Sequence, residues 1–590
     1  MNNIQPGKYR VQNTSVGTLL NWISSGEIGL PELQRPFVWS SVKVRDFIDS
    51  LYNGFPVGYI ITWNNPSVHL KDGSIATGKK IMIDGQQRVT ALRAAIAGEE
   101  VMNSKFEYKR IRISFNPIEE KFQTFNGAIA KDPQWISDIS VLFSSEFHEW
   151  DFIPSFAKKS ETDPNVIAEA IKKILNLVNN DIGNIELDAS LPIESVTEIF
   201  NRINSKGTEL STADFIMSKL SSDTDHDGNN IRKCVEYFSR LLADPLSINS
   251  ITNNDKAFLD TKYFSLIKWA KNENSNLYNP RFGDLFHVVL GFEFGRGKHS
   301  DLVSLISGRE FKSRTYTEDA MSDAYTKLRH GVEQIVNESN FERYIMILKS
   351  LGMCDNGVLV LNGMGVINFG YSLFLLLKNN NDFSESEIES IVKRWIVMSA
   401  LTNRYSGSSE SKSEMDIKLF INGNPKEIID RVTKQVLSDD FWNVTLPTKL
   451  ETSSTAANVW RVFQMSQVHG NDIAWLEKDH RVSSLLENQG NVHHIFPKAY
   501  LKNNGFAQQQ YNQVANYTWL TQPRNLLISD KAPNKYLHDS RVTEFMNDNS
   551  FEQNAIPKSL INYDFHDYNK FLEQRRHLIS DKIKKYYSNL

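Results

Sequence analysis

Cysteine is nearly missing from this chain: Cys234 and Cys354 are its only two thiols in 590 residues. Two distant thiols cannot build a disulfide scaffold or any cysteine-based zinc site, and their scarcity fits a reducing compartment. Excess charge of one sign is missing too. Sixty-six Lys and Arg stand against 70 Asp and Glu, a net charge of −4. This excludes a uniformly basic nucleic-acid binder and leaves room for a local basic groove. No GxxxxGK[ST] stretch occurs, so a Walker-type phosphate loop is excluded. There is no internal repeat and no long low-complexity tract. The first residues, MNNIQPGK, lack a basic stretch followed by an apolar one, so no signal peptide is read and the cytoplasm is the expected location.

Long apolar runs are equally scarce, with one instance to weigh. VLVLNGMGVINFGYSLFLLL, residues 358–377, carries no charge. A membrane span needs about 20 consecutive, mostly apolar residues. Asn362, Asn368 and three glycines interrupt this run, which predicts a buried helix or helix pair and no membrane association.

What remains is ordinary globular composition, 40% hydrophobic, 23% charged and 11% aromatic. At roughly 150 residues per domain, three or four units are expected. The fold class expected is multidomain α+β. Residues 1–240 mix strand-like runs (PVGYIITW, KKIMID, KRIRISF) with helices such as RVTALRAAIAG. Residues 241–440 show helical spacing throughout, and 441–590 form a C-terminal domain. SGSSESKS, residues 406–413, is the most linker-like piece.

Three polar clusters mark the first domain. LPELQRPFVWS (30–40) places Gln34 and Arg35 before a proline, with Trp39 close enough to pack on the same site. IDGQQR (83–88) stands between a strand and a helix. FNRINSKGTELSTAD (200–214) gathers Asn201, Arg202, Asn204 and Lys206 ahead of Gly207. The second cluster suits an anion best. Gly85 lets backbone approach a ligand, the helix N-terminus offers unpaired N–H groups, and Arg88 can add a bidentate phosphate contact. Asp84 can hold a metal, orient water or bind a sugar hydroxyl. The structural alternatives are a capping box of Asp84 with Gln87 and a cap of Ser211 with Asp214.

QRPFVW, DGQQR and FNRINSKGTELS, in that order, resemble the ParB/sulfiredoxin-like N-terminal domain of GmrSD-type modification-dependent (type IV) restriction proteins. The resemblance implies binding and hydrolysis of a nucleoside triphosphate at Asp84, Gly85, Gln86, Gln87 and Arg88, with Gln34, Arg35 and Asn204 as companions.

The C-terminal domain carries the densest chemistry. NVHHIFPKAYL (491–501) and NYTWLTQPRNLLISDKAPNKYL (516–537) read as strand, long loop, strand and helix, the order of a ββα-metal nuclease. Phosphodiester hydrolysis needs a base for water and a cation for the phosphorane and the leaving oxygen. His494 is the expected base, His493 and Asn525 the expected ligands of Mg²⁺ or Mn²⁺, and Asn516 the residue pinning the inter-strand loop. This segment is similar to the His-Asn-His (HNH) nuclease domain of the same proteins over about 480–590. Many such nucleases have an acidic residue where His493 stands.

The tail FLEQRRHLISDKIKKYY (571–587) places Arg575, Arg576 and Lys582 on a helix that either contacts DNA phosphates or is simply solvated. Taken together, these readings predict an anti-phage DNA endonuclease switched by nucleotide. Glucosylated hydroxymethylcytosine DNA is the substrate the resemblance implies, and the reading admits a homodimer. Alternatives are a nucleotide-switched DNA-binding protein with a degenerate nuclease, a sensor of phosphorothioate DNA, or a cytotoxic nuclease restrained by a partner.

Overall fold

A computed structural model of the chain describes residues 9–29, 37, 39–64, 80–102, 108–191, 195–196, 199, 211–223, 225–355, 359–380, 382–487, 492–544 and 546–590. Gln34, Arg35 and Asn204 lie outside these residues. The chain divides into two compact bodies. One holds residues 1–232, 249–256 and 303–322, and the other 233–248, 257–302 and 323–590.

The first body is built on a five-stranded mixed sheet. Its strands are β1 (Tyr9–Ser15), β2 (Ile28–Gly29), β3 (Tyr59–Asn64), β4 (Lys80–Asp84) and β5 (Asp181–Leu187), in the order β1-β5-β3-β4-β2. The runs PVGYIITW and KKIMID supply β3 and β4, which pair antiparallel, with a register shift between Ile61 and Thr62 opposite the end of β4. KRIRISF does not form one strand. It splits into Tyr108–Arg110 and Ile113–Asn116, which pair with different partners. Helices α1 (Val16–Ser24), α2 (Ser41–Tyr52) and α3 (Gln86–Ala95) pack Leu19, Ile48, Val89 and Leu92 into one core with Ile60 and Met82. Each apolar residue sequestered there contributes roughly 1.5–3 kcal/mol. A further helix, α4 (Thr212–Ser222), starts at a capping box in which Ser211 and Asp214 satisfy each other's backbone.

The second body is helical over most of its length. The charge-free run becomes α6 (Met364–Asn379), buried between α5 (Phe282–Phe294) and α7 (Glu385–Thr402). Its mid-helix amide is not wasted. Asn368 donates to Asp284 Oδ1 at 2.6 Å and accepts from Tyr278 at 3.0 Å, so its burial leaves no orphan. Gly291 permits close approach of α5 to α6, since a Cβ there would sit 2.8 Å from Ser372 Oγ. Among the described residues no helix is long and apolar enough to cross a membrane.

SGSSESKS is not a linker. From Ser409 onward it is the start of helix α8 (Ser409–Asn422), on which Ser413, Asp416, Ile417 and Phe420 are buried. Asp416 forms a bidentate pair with Arg404, at 2.6 and 2.7 Å, and accepts from Tyr405. Serine-rich composition concealed a helix held by a buried ion pair.

Candidate active site

Near the C-terminus the antiparallel pair β6 (Val492–His494) and β7 (Tyr517–Trp519) aligns His493 with Thr518 and His494 with Tyr517. A short helix α9 (Lys498–Asn503) follows β6, and α10 (Gln522–Ile528) follows β7. Strand, loop, strand and helix therefore occur in the expected order. The loop between the strands is pinned by Asn516, which is 0% exposed. Its Oδ1 accepts from Phe496 N–H at 2.8 Å, and its Nδ2 donates to the carbonyls of Phe496 and Tyr511. Ile495 N–H adds a bond to Asn516 O.

Adjacent strand residues face opposite ways, and the two histidines meet different partners. His493 has the Asn525 side chain of α10 as its polar neighbour. His494 Nε2 lies 3.0 Å from Asn512 Oδ1, and its ring meets Tyr517 edge-on with centroids 5.1 Å apart. With an amide oxygen accepting from Nε2–H, Nδ1 carries the lone pair. Burial holds both imidazoles below their ordinary value. His494 adds to this at His493, and the Asn525 bond opposes it; at His494 the Asn512 bond opposes and the charge of Lys498 adds. Burial thus favours the uncharged form of both rings.

Three residues that the motif reading did not select complete this neighbourhood. Asn512 fixes the tautomer of His494. Lys498, exposed at the start of α9, provides a cation within electrostatic reach of His494. Glu477, 2% exposed, accepts from the backbone N–H and hydroxyl of Thr521 at 3.1 and 2.6 Å and lies 3.8 Å from Arg524. It thus fixes the N-terminus of the helix that carries Asn525, where a carboxylate is favoured. The backbone is strained on either side of this contact: Leu476 has φ 59° and Ser529, which ends α10, has φ 51°. Lys498 lay inside the quoted motif four residues after His494; Glu477 had no local signal.

The DGQQR cluster forms the turn from β4 into α3. Gly85, at φ 99°, is the N-cap and offers no side-chain bond, so the first turn of α3 carries no side-chain cap. The capping box of Asp84 with Gln87 is thereby corrected: Asp84 ends the strand and lies 3.8 Å from Arg88. A Cβ on Gly85 would approach Ile60 Cγ2 to 2.6 Å, so only glycine fits. Gln86 Nε2 points back to Met82 O at 3.4 Å. Gln87 is half-buried in the first turn. The Arg88 guanidinium donates to the carbonyls of Val57 and Tyr59, at 3.0 and 3.1 Å, which ties the turn to the segment entering β3. Trp39 packs edge-on against Phe47 of α2 with Lys43 over its ring.

The basic tail helix α11 (Tyr568–Ser588) requires a correction. Arg575 is 1% exposed and donates to the carbonyls of Ala515, Tyr517 and Asn554, so it does not reach DNA. Burial pulls its pKa down to about 9. It is an internal strut beneath β7. Arg576 pairs with Glu451 at 2.8 Å and Lys582 with Asp472 at 2.6 Å, while Tyr586 and Tyr587 are buried.

Residues 16–221, from α1 to α4, match the family model described as the GmrSD restriction endonuclease, N-terminal domain. The chain is also 22% identical over 630 aligned positions to an uncharacterized protein of Methanocaldococcus jannaschii, covering 95% of this chain and 96% of that one. The family match supports a restriction endonuclease of GmrSD type, and with it a nuclease whose partner is DNA.

Proposed function

We propose that this chain is a modification-dependent restriction endonuclease for anti-phage defence. In this reading an N-terminal nucleotide-hydrolysing domain controls a metal-dependent His-Asn-His nuclease formed around β6, β7 and α10. The observation that carries the nuclease half is His494, half-buried and held through Nε2 by Asn512 next to His493, on a loop pinned by Asn516.

His494 Nδ1 accepts the proton of a water molecule as its oxygen bonds to phosphorus. The bond from phosphorus to the leaving sugar oxygen then breaks, and Lys498 binds the phosphate under attack. His493 and Asn525 offer one imidazole and one amide oxygen, both uncharged. That set fits a divalent cation taking its other ligands from water and DNA phosphate, and the imidazole suits Mn²⁺ beside Mg²⁺. When bound, the ion supplies positive charge to the phosphorane and the leaving oxygen.

In the first body, the left-handed Gly85 and the first turn of α3 form a phosphate-accepting turn. Asp84, Gln86, Gln87 and Arg88 would line it, with Gln34, Arg35 and Asn204 completing the site. Arg88 acts chiefly by shaping the turn, given its two carbonyl partners. Glucosylated hydroxymethylcytosine DNA is the proposed substrate.

The test is cleavage of matched unmodified and glucosylated DNA by the purified protein with Mg²⁺ or Mn²⁺ and mixed nucleoside triphosphates. Cutting of the modified DNA alone is expected. Failure to cut either, with DNA binding retained, would replace this reading with a nucleotide-switched DNA-binding protein. Cutting of phosphorothioate DNA alone would change the substrate.

A further inference from the structure

A second constellation of ligand-type side chains stands in the helical part of the second body, and shares no residue with the proposed nuclease. His287 lies on α5 and is 9% exposed. His299 follows a turn after α5, and Glu410 stands in the first turn of α8. The imidazole rings are 5.6 Å apart, and one donor atom from each of the three side chains lies within 4.8 Å of the others.

Hydrogen bonding assigns the proton on His299. Its Nε2 is 2.9 Å from the carbonyl oxygen of Gly283, which can only accept, so Nε2 carries hydrogen. Its Nδ1 then faces Glu410 Oε1 at 3.0 Å.

The frame around these groups is tightly packed. Gly297 N–H donates to Glu414 Oε2 at 3.2 Å, and Arg296 lies 3.8 Å from Glu414 and 3.5 Å from Asp301. A Cβ on Gly297 would fall 2.1 Å from Glu410 O, so the turn and α8 touch backbone to backbone. Donors held on packed elements are preorganised. A carbonyl accepting from the far nitrogen of a ligating histidine is the usual outer-shell arrangement of metal sites.

We propose that His287, His299 and Glu410 form a binding site for a first-row divalent transition metal ion, with Zn²⁺ the best fit. Two imidazoles and one carboxylate are borderline ligands that favour such ions over Mg²⁺ or Ca²⁺. Bonds of roughly 2.0–2.1 Å would set the donors about 3.3 Å apart, a movement on the order of 1 Å for the more distant ones. The Glu410 side chain is 43% exposed, which leaves the fourth position open to water. The ion joins α5, the turn after it and α8 as a staple.

The experiment uses the full-length protein stripped with chelator and titrated with Co²⁺, read by visible absorption, with Zn²⁺ competing. Wild type and His493→Ala are expected to take up one equivalent with a tetrahedral spectrum that Zn²⁺ displaces. His287→Gln and Glu410→Gln should weaken uptake at least tenfold while retaining wild-type circular dichroism. Glu410→Gln, at a partly exposed position, guards against a result that merely reflects misfolding. Uptake undiminished in both Gln variants, no uptake by wild type, or loss of the spectrum in His493→Ala alone would each overturn the assignment. Only the last result bears on the nuclease.

Discussion

Replacing Asn516 with alanine removes three hydrogen bonds from a side chain that solvent does not reach. The cost follows from which partners are left alone. Tyr511 O keeps bonds from Gln513 N–H and Tyr568. Phe496 loses the partners of both its N–H and its C=O. Two buried orphans at about 1–3 kcal/mol each give a local loss of roughly 3 kcal/mol. At tenfold per 1.4 kcal/mol, that is about a hundredfold in the opening equilibrium of the hairpin. Hydrogen–deuterium exchange of a peptide spanning residues 492–501 reads this directly, because Ile495 and Phe496 amides exchange through that opening. The expected result is about hundredfold faster exchange in Asn516→Ala, and little change in Asn503→Ala, an exposed position on α9. DNA cleavage should fall alongside, since Phe496 is two residues from His494. Asn516→Asp should be at least as damaging at neutral pH, because it turns a second oxygen toward two carbonyls. Its buried carboxyl would have a raised pKa, so the deficit should shrink as pH falls below that value and the carboxyl protonates. Exchange within threefold of wild type in Asn516→Ala would refute the pinning role.

Other expectations follow from the same geometry. Arg575→Met leaves three backbone carbonyls short of a donor and should lower stability by about 3 kcal/mol, whereas Arg576→Ala should cost less than about 1 kcal/mol, both read by thermal unfolding. Equal effects would contradict the strut. The His494 imidazole is held below 6.5 by burial, so cleavage at saturating metal should be flat at neutral pH and decline only with a midpoint acid to 6.5. A midpoint above that value would contradict the base assignment. Cys234 and Cys354 are 0% and 5% exposed, and burial pushes the first thiol well up and the second to about 11. A thiol reagent at pH 8 should label neither until denaturant is added; labelling of the native protein would contradict this packing.

Local spacing made some of this arrangement legible and composition hid the rest. HHIFPKAYL and the asparagines after it led to β6, β7 and the pinning role of Asn516, because strand order and loop length are written within 30 or so residues. The apolar run was legible as a buried helix because its asparagines and glycines need protein partners. Arg575 was misread by counting charges on the tail helix. Its place on the stripe of Phe571, Leu572, Ile579 and Ile583 already directed it inward. SGSSESKS was misread through serine content, although Asp416, Ile417 and Phe420 beyond it keep helical spacing. Glu477 lies 44 residues before Thr521, and Glu410 lies 111 residues after His299, so tertiary packing alone brings them together.

The most direct measurement compares wild type with His494→Ala for DNA cleavage and nucleoside triphosphate hydrolysis in the same metal-containing buffer. The account predicts that His494→Ala abolishes cleavage, keeps DNA binding and leaves nucleotide hydrolysis at the wild-type rate. Cleavage by His494→Ala at the wild-type rate would contradict it.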